Sequence, residues 1–222
     1  MTELLPVTVL VVAKAPVPGL AKTRLAASIG DAAAADIAAA ALLDTLDAVA
    51  ATPVADRVVA FTGNLDDAAR AEEIRQRLTA FTVVDQRGDG FAERLVHAHL
   101  DAAAAGHPVL QIGMDTPQVT PELLGTCARQ LLSSATVLGM AQDGGWWVLG
   151  VSSAATAACL SEVPMSQSDT GALTLAALRS TGAEVVLVSE LADVDTIDDV
   201  ESVRLACDPA KRFAKVTATV GV

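Results

Sequence analysis

Residues 13–25, Ala-Lys-Ala-Pro-Val-Pro-Gly-Leu-Ala-Lys-Thr-Arg-Leu, place three cations on one loop punctuated by proline and glycine. The loop follows an apolar, β-branched run, Val7-Thr8-Val9-Leu10-Val11-Val12, that reads as a buried strand. Ligands of α/β sheets bind at the carboxyl ends of strands. Lys14, Lys22 and Arg24 clustered there, in a chain of formal net charge -12, call for a polyanion, and a phosphorylated nucleotide is the first choice. Gly19 lets the backbone approach a phosphate closely. A solvated turn with incidental charge is the competing reading. Neither GxxxxGK[ST] nor GxGxxG occurs, which sets aside a P-loop and a Rossmann dinucleotide site.

Three acidic groups stand at the ends of further strand-like runs. In Gly113-Met114-Asp115-Thr116-Pro117 a carboxylate lies just past an apolar strand. Held at a crevice, such a group ligates Mg2+ or Mn2+, which bridges phosphate oxygens; an Asx-turn or helix-cap aspartate is the other reading. In Asp193-Val194-Asp195-Thr196-Ile197-Asp198-Asp199, Asp193 and Asp195 are two apart in an extended segment, so their carboxylates share a side and suit a hard cation. Asp198 and Asp199 fall in the first turn of a helix capped by Thr196, where the dipole favours them. In Gln142-Asp143-Gly144-Gly145-Trp146-Trp147 the glycines let the chain turn sharply and present Asp143 to a cleft. The adjacent tryptophans point to opposite faces of a strand, one to a substrate pocket and one to the core, unless both are core residues.

The remaining reactive side chains form no recognisable constellation. His97 and His99 are two apart on a predicted helix, hence on different faces, and His107 precedes a turn proline. Cys127, Cys159 and Cys207 match neither a zinc spacing nor a disulfide framework, as expected of buried thiols in a reducing cytoplasm. No serine or cysteine has a triad context.

The elements that must position these loops alternate along the chain. Helices are expected at 31–51, 66–78, 90–105, 121–132, 154–161, 169–181 and 196–205, and strands at 7–12, 57–61, 81–84, 109–113 and 184–188. Two strand-like pieces flank Asp143 between residues 136 and 151. This alternation predicts an open, mostly parallel sheet with helices on both faces, mixed near Asp143. With 52% hydrophobic residues but only 3% aromatic, alanine and valine must carry the core. No internal repeat or long linker splits residues 1–222, so a single domain is expected, with 210–222 as a peripheral strand or mobile end. Mean hydropathy is +0.44, yet no apolar run reaches the roughly 20 residues of a membrane span. Glu3 stands where a signal peptide would carry positive charge, so the protein is expected in the cytoplasm. A pI near 4.5 excludes a general nucleic-acid binder.

Taken in order, Ala-Lys-Ala-Pro-Val-Pro-Gly-x-x-Lys-Thr-Arg-Leu, Gly-x-Asp-Thr-Pro, Asp-Gly-Gly-Trp-Trp and Asp-Val-Asp-Thr resemble the CofC-like bacterial glycosyltransferase family. That family is a branch of the GT-A, or nucleotide-diphospho-sugar transferase, superfamily, with the MobA and CofC nucleotidyltransferases as relatives. The resemblance spans residues 7–205 and implies a three-layer α/β/α sandwich that binds a nucleotide and Mg2+ or Mn2+. It implies metal ligation by Asp115, Asp193 and Asp195, and phosphate contacts from Lys14, Gly19, Lys22 and Arg24. Gln86 and Gly88, in the glycine-containing turn 86–94, are expected near the base or ribose. Trp146, Trp147 and Ser166 are expected around the acceptor; Trp146-Trp147 replace the usual paired tyrosines, and Met165 stands where relatives often have tryptophan. The Asp-x-Asp of many glycosyltransferases is absent, since Gly113 occupies the first position.

The activity these residues imply is glycosyl transfer from a nucleotide-sugar to a small or lipid-linked acceptor, with Asp143 as general base. Nucleotidyl transfer from an NTP to a phosphorylated substrate, with release of pyrophosphate, is the alternative. A nucleotide-binding protein without turnover is a third reading.

Overall fold

The computed structural model describes residues 3–220. Its centre is the strand read from the valine run, β1 (Leu5–Lys14). Val7, Val9, Val11 and Ala13 enter one core layer and Leu10 and Val12 the other, as the two-residue period of a strand requires. Around it stand β2 (Val54–Thr62), β3 (Thr82–Asp85), β4 (Val109–Ile112), β5 (Thr136–Ala141), β6 (Trp146–Val151) and β7 (Val186–Leu191). The seven-stranded order is β3-β2-β1-β4-β6-β5-β7. All pairings are parallel except those of β6, which runs antiparallel to β4 and β5. The mixed region is the one expected around Asp143. Reversal of β6 puts its first residue, Trp146, at the edge where the other strands end.

Helices cover both faces, completing a three-layer α/β/α sandwich. They are α1 (Thr23–Ile29), α2 (Asp31–Ala51), α3 (Ala71–Leu78), α4 (Phe91–Ala102), α5 (Pro121–Ser134), α6 (Thr170–Ser180), α7 (Ile197–Ala206) and α8 (Arg212–Val220). Residues of α2, α3 and α5 pack on one face, and residues of α4, α6 and the 3-10 turn Thr156–Glu162 on the other. Helix α2 is buried nearly all round. Its alanines let it approach the sheet on one side and α1, α7 and α8 on the other, so it lacks the apolar stripe of a surface helix. Among the described residues, no helix is long and apolar enough to cross a membrane.

Several elements depart from expectation. The cationic loop ends in α1, because Lys22 adopts a left-handed conformation (φ 48°) that turns the chain into a helix at Thr23. The helix expected over 66–78 is a 3-10 turn, Leu65–Asp67, followed by α3. Arg70 (φ 52°) breaks it, with its guanidinium held by Asp36 at 2.5 and 3.0 Å. The last strand runs 186–191 rather than 184–188.

Of the segment 210–222, expected as a peripheral strand or mobile end, residues 212–220 form helix α8, and 221–222 lie outside the described residues. Phe213 is fully buried, and the buried Asp44 of α2 accepts hydrogen bonds from the backbone N–H groups of Arg212 (3.1 Å) and Phe213 (2.8 Å). A carboxylate inside α2 thus satisfies the orphan donors at the start of α8. Asp44→Ala is expected to lower stability by about 1–2 kcal/mol, the usual cost of a lost cap, read as a lower urea midpoint at unchanged slope.

His99 on α4 is fully buried near Gln111, and burial holds its imidazole down to about 4 against a weaker raising influence from Gln111. The unfolded chain binds a proton below about pH 6.5 while the native state does not. Stability therefore falls as the pH drops from 6.5 toward 4 and is unaffected by this group above 6.5. Between pH 7.5 and 5 the loss due to His99 is about 2 kcal/mol. His99→Gln, compared with the unsubstituted protein by urea denaturation at those two pH values, should show a correspondingly shallower pH dependence.

Candidate functional site

Every chemically active loop read from the sequence emerges at one edge of the sheet. Lys14 ends β1, Gln86 follows β3, Asp115 follows β4, Asp143 lies in the turn from β5 to β6, and Asp193 follows β7. Strand β1 has β2 on one side and β4 on the other, so a crevice opens at this switch point.

Two hollows occupy the crevice. The larger, about 370 Å3, is lined by Gln86, Arg94, Asp143, Trp146, Ser166 and Asp193 among others. The smaller, about 250 Å3, is lined by Leu20, Lys22, Arg24 and Asp195. Lys14, Met114 and Asp115 border both, so Asp115 stands at their junction.

Each cation of the basic loop has a partner. The Lys22 ammonium donates to Asp115 Oδ2 at 2.8 Å, and the Arg24 guanidinium to Asp195 Oδ2 at 2.6 Å. Lys14 Nζ donates to the Leu20 carbonyl at 3.0 Å and so closes the loop on itself, with Gly19 (φ 76°) at its bend. Burial of Lys22 works against its charge. The attraction and hydrogen bond of Asp115, with Asp195 and Asp193 behind it, outweigh burial and leave its pKa above the ordinary value. The carboxyl of Asp193 is pushed up to about 6, first by burial and then by the charges of Asp115 and Asp143, with Lys22 offsetting part of this. Three carboxylates thus repel one another across the larger hollow.

Asp193 and Asp195 border different hollows, yet both act on the Lys22 ammonium between them and Asp115. Asp193 lines the larger hollow and Asp195 the smaller, where Arg24 holds it. Val194 between them is buried, and its N–H reaches the Asp115 carbonyl at 3.3 Å, fastening the segment to the Asp115 loop. Asp199 supports the turn by accepting from the N–H groups of Asp195 and Thr196, forming a capping box at the helix start where only a Thr196 cap and first-turn acids were expected. Among the described residues, no three His, Cys, Asp or Glu side chains are grouped as a ready metal cage.

The Asp143 turn is set by close backbone packing. Gly144 (φ 90°) leaves no room for a Cβ, which would overlap the Ser168 carbonyl, and Gly171 N–H donates to Gly144 O at 2.8 Å. Asp143 Oδ1 accepts from Gly145 N–H at 2.7 Å. The tryptophans divide as the strand period requires. Trp146 lines the hollow, whereas Trp147 is only 2% exposed and donates its indole N–H to Ser189 O at 2.8 Å. Trp147 is therefore a core residue, although it too borders the larger hollow. Ser166 (φ 60°) sits on the rim with Met165.

Gln86 and Gly88 are used structurally. The Gln86 amide N–H2 donates to Ala13 O (2.8 Å) and Ala60 O (2.9 Å), tying the ends of β1 and β2, and leaves its oxygen for other contacts. Gly88 (φ 130°) packs so tightly against Glu93 that a side chain would force the turn apart. Sequence reasoning included Phe91 and Arg94 in the turn 86–94 without singling them out, and both line the larger hollow. Their three-residue spacing at the start of a helix was the available signal. Sequence reasoning missed Lys211, whose ammonium donates to Pro117 O (2.6 Å) and Val119 O (2.8 Å) and steadies the Asp115 loop from 94 residues away.

With this geometry in place, comparison with known proteins is informative. A candidate nucleotide-diphospho-sugar transferase of Desulfovibrio desulfuricans G20 superposes with a TM-score of 0.84 at 22% identity, over 97% of this chain and 96% of that one. Rv0371c of Mycobacterium tuberculosis H37Rv, crystallised with manganese, gives 0.55 at 19% identity over 89% and 97%. CMP:2-keto-3-deoxy-manno-octonic acid synthetase complexed with CTP gives 0.56 at 14% identity over 92% and 98%. At these identities the likeness establishes the fold, which is that of the nucleotide-diphospho-sugar transferases. No curated protein matches the chain. A family model matches residues 45–167, more than half of the sequence. The chain belongs to that family, DUF2064, described as uncharacterized proteins conserved in bacteria.

Proposed function

We propose that the protein is a metal-dependent glycosyltransferase that takes a nucleotide-sugar donor and passes the sugar to a hydroxyl-bearing acceptor. The observation that carries this reading is the place of Asp115, at the junction of a small basic recess and a larger hollow edged by an aspartate and a tryptophan. The recess matches a diphosphate: Lys14, Lys22 and Arg24 surround it and would take over the phosphate charge. The hollow matches sugar and acceptor, with Trp146 as a flat apolar wall and Asp143 at its edge. Gly145 N–H holds Asp143 Oδ1, leaving Oδ2 to receive the acceptor's hydroxyl proton.

The acids fit a divalent cation by their chemistry. They are oxygen donors only, and Asp193 is pushed up first by burial and then by the charges of Asp115 and Asp143, which a cation would offset. Mg2+ and Mn2+ are commonly held by one or two carboxylates, with phosphate oxygens and water completing the shell. Asp115 and Asp193 would provide those carboxylates, with Asp195 supporting from the recess through Arg24. Such an ion offsets the charge that builds on a departing nucleoside diphosphate. The manganese bound to Rv0371c supports this reading.

Nucleotidyl transfer is the second reading, and the same carboxylates favour it, since Asp115, Asp143 and Asp193 together could serve more than one cation. The shared fold with a CTP-bound synthetase supports it further. A panel of nucleotide-sugars and NTPs, each with Mg2+ or Mn2+ and with acceptors, separates the readings. Release of nucleoside diphosphate is expected. Pyrophosphate release that depends on a phosphorylated substrate would replace the first reading with the second, and binding without turnover would indicate a nucleotide-binding protein alone.

Two substitutions probe the assignments. Asp115→Asn should abolish metal-dependent nucleotide binding, measured by calorimetry, with an unchanged circular dichroism spectrum. Asp143→Asn should lower kcat by about 100-fold or more, the usual worth of a general base, while nucleotide affinity stays the same.

A further inference from the structure

The proposed phosphate-binding lysine is, in this structure, engaged elsewhere. Lys22 Nζ lies 2.8 Å from Asp115 Oδ2, and its side chain is only 14% exposed. Asp115 is the carboxylate at the junction of the two hollows, so the ammonium rests where a divalent cation would contact that oxygen. A second ion pair, Arg24 to Asp195 at 2.6 Å, draws the same stretch of chain to the other acidic segment. The backbone between the strand and α1 is bent to allow this. Lys22 holds φ 48°, a conformation that costs a non-glycine residue energy and persists where surrounding contacts enforce it.

Two cations cannot share one carboxylate oxygen at contact distance without strong repulsion. A metal ion arriving alone must displace a buried, hydrogen-bonded ammonium and leave it unpaired. A diphosphate arriving alone must draw Lys22 away and leave Asp115 unpaired among Asp143 and Asp193. When both arrive, Lys22 passes to a phosphate oxygen and the metal takes Asp115, so no charge is stranded. Resting on the nucleotide-and-metal reading above, we infer that Lys22 is an internal counter-cation that keeps divalent metal off Asp115 until a diphosphate accepts its ammonium. Metal and nucleotide binding are thereby coupled. By linkage, each raises the affinity for the other by the same factor.

The test uses Mn2+ alone as the first probe, with free ion followed by electron paramagnetic resonance. Lys22→Met keeps the length of the side chain and removes its charge; Lys22→Gln is a second variant, and near-ultraviolet circular dichroism checks the fold of both. Without nucleotide, both variants should bind Mn2+ at least about 10-fold more tightly than the unsubstituted protein. UDP, GDP and CDP are then added separately, with correction for their own chelation. At least one should tighten Mn2+ binding by a similar factor in the unsubstituted protein, and by much less in the variants. Equal Mn2+ affinity in all three proteins, or weaker binding in the variants, would overturn the inference. Asp115→Asn distinguishes this from failure of the underlying assignment. Should it bind Mn2+ as the unsubstituted protein does, the metal site at Asp115 itself is wrong. Should it lose binding while the lysine variants are unchanged, the site stands and only the coupling is lost.

Discussion

Carboxylates crowd one edge of this sheet, and their mutual repulsion is opposed by the Lys22 ammonium buried against Asp115. The arrangement would be costly without that ammonium, because like charges withdrawn from water raise one another's energy. The pair is weak evidence for stability, since buried ion pairs often gain little over apolar packing. Its worth lies in organisation. It fixes where the cationic loop ends, where α1 begins, and which face of the Asp115 loop remains open to the crevice.

The scaffold around this pair is built from backbone rather than from large side chains. Val194 N–H meets Asp115 O, Gln118 reaches Ala192 O, and Gly171 N–H meets Gly144 O. The first two bonds join the loops after β4 and β7, the third joins the β5–β6 turn to the start of α6, and Gln142 N–H donating to Leu191 O ties that turn to the end of β7. Little aromatic mass is available in a chain with no tyrosine. Alanines on α2 and glycines at the Asp143 turn instead let elements approach until main-chain groups touch. Trp147 is the main exception, closing the core beneath the rim with its indole N–H on Ser189 O.

The sheet and most helices could be read from the chain because their signals are local. The valine run of β1, the Thr120-Pro121 start of α5 and the Thr196 cap of α7 each encode their own element. The loops that meet at the crevice were legible for a related reason: cations and acids at strand ends have few structural uses. What escaped depends on partners far away in sequence. Helix α8 starts where Asp44 receives its N–H groups, 168 and 169 residues distant, and α3 is broken by an arginine held on Asp36. The hold of Arg24 on Asp195 escaped too, because the two residues lie 171 positions apart in the chain. Gln86 lines the larger hollow, but its amide serves two backbone carbonyls that no spacing rule reveals.

Lys211 spans from the start of the last helix to two carbonyls of the Asp115 loop. During synthesis, β1, the cationic loop and the Asp115 loop all leave the ribosome well before residue 211 does. Until then Pro117 O and Val119 O lack their charged donor, and α2 lacks the helix that Asp44 anchors. The crevice thus depends on a donor from residue 211, although its lining comes largely from the first two-thirds of the chain.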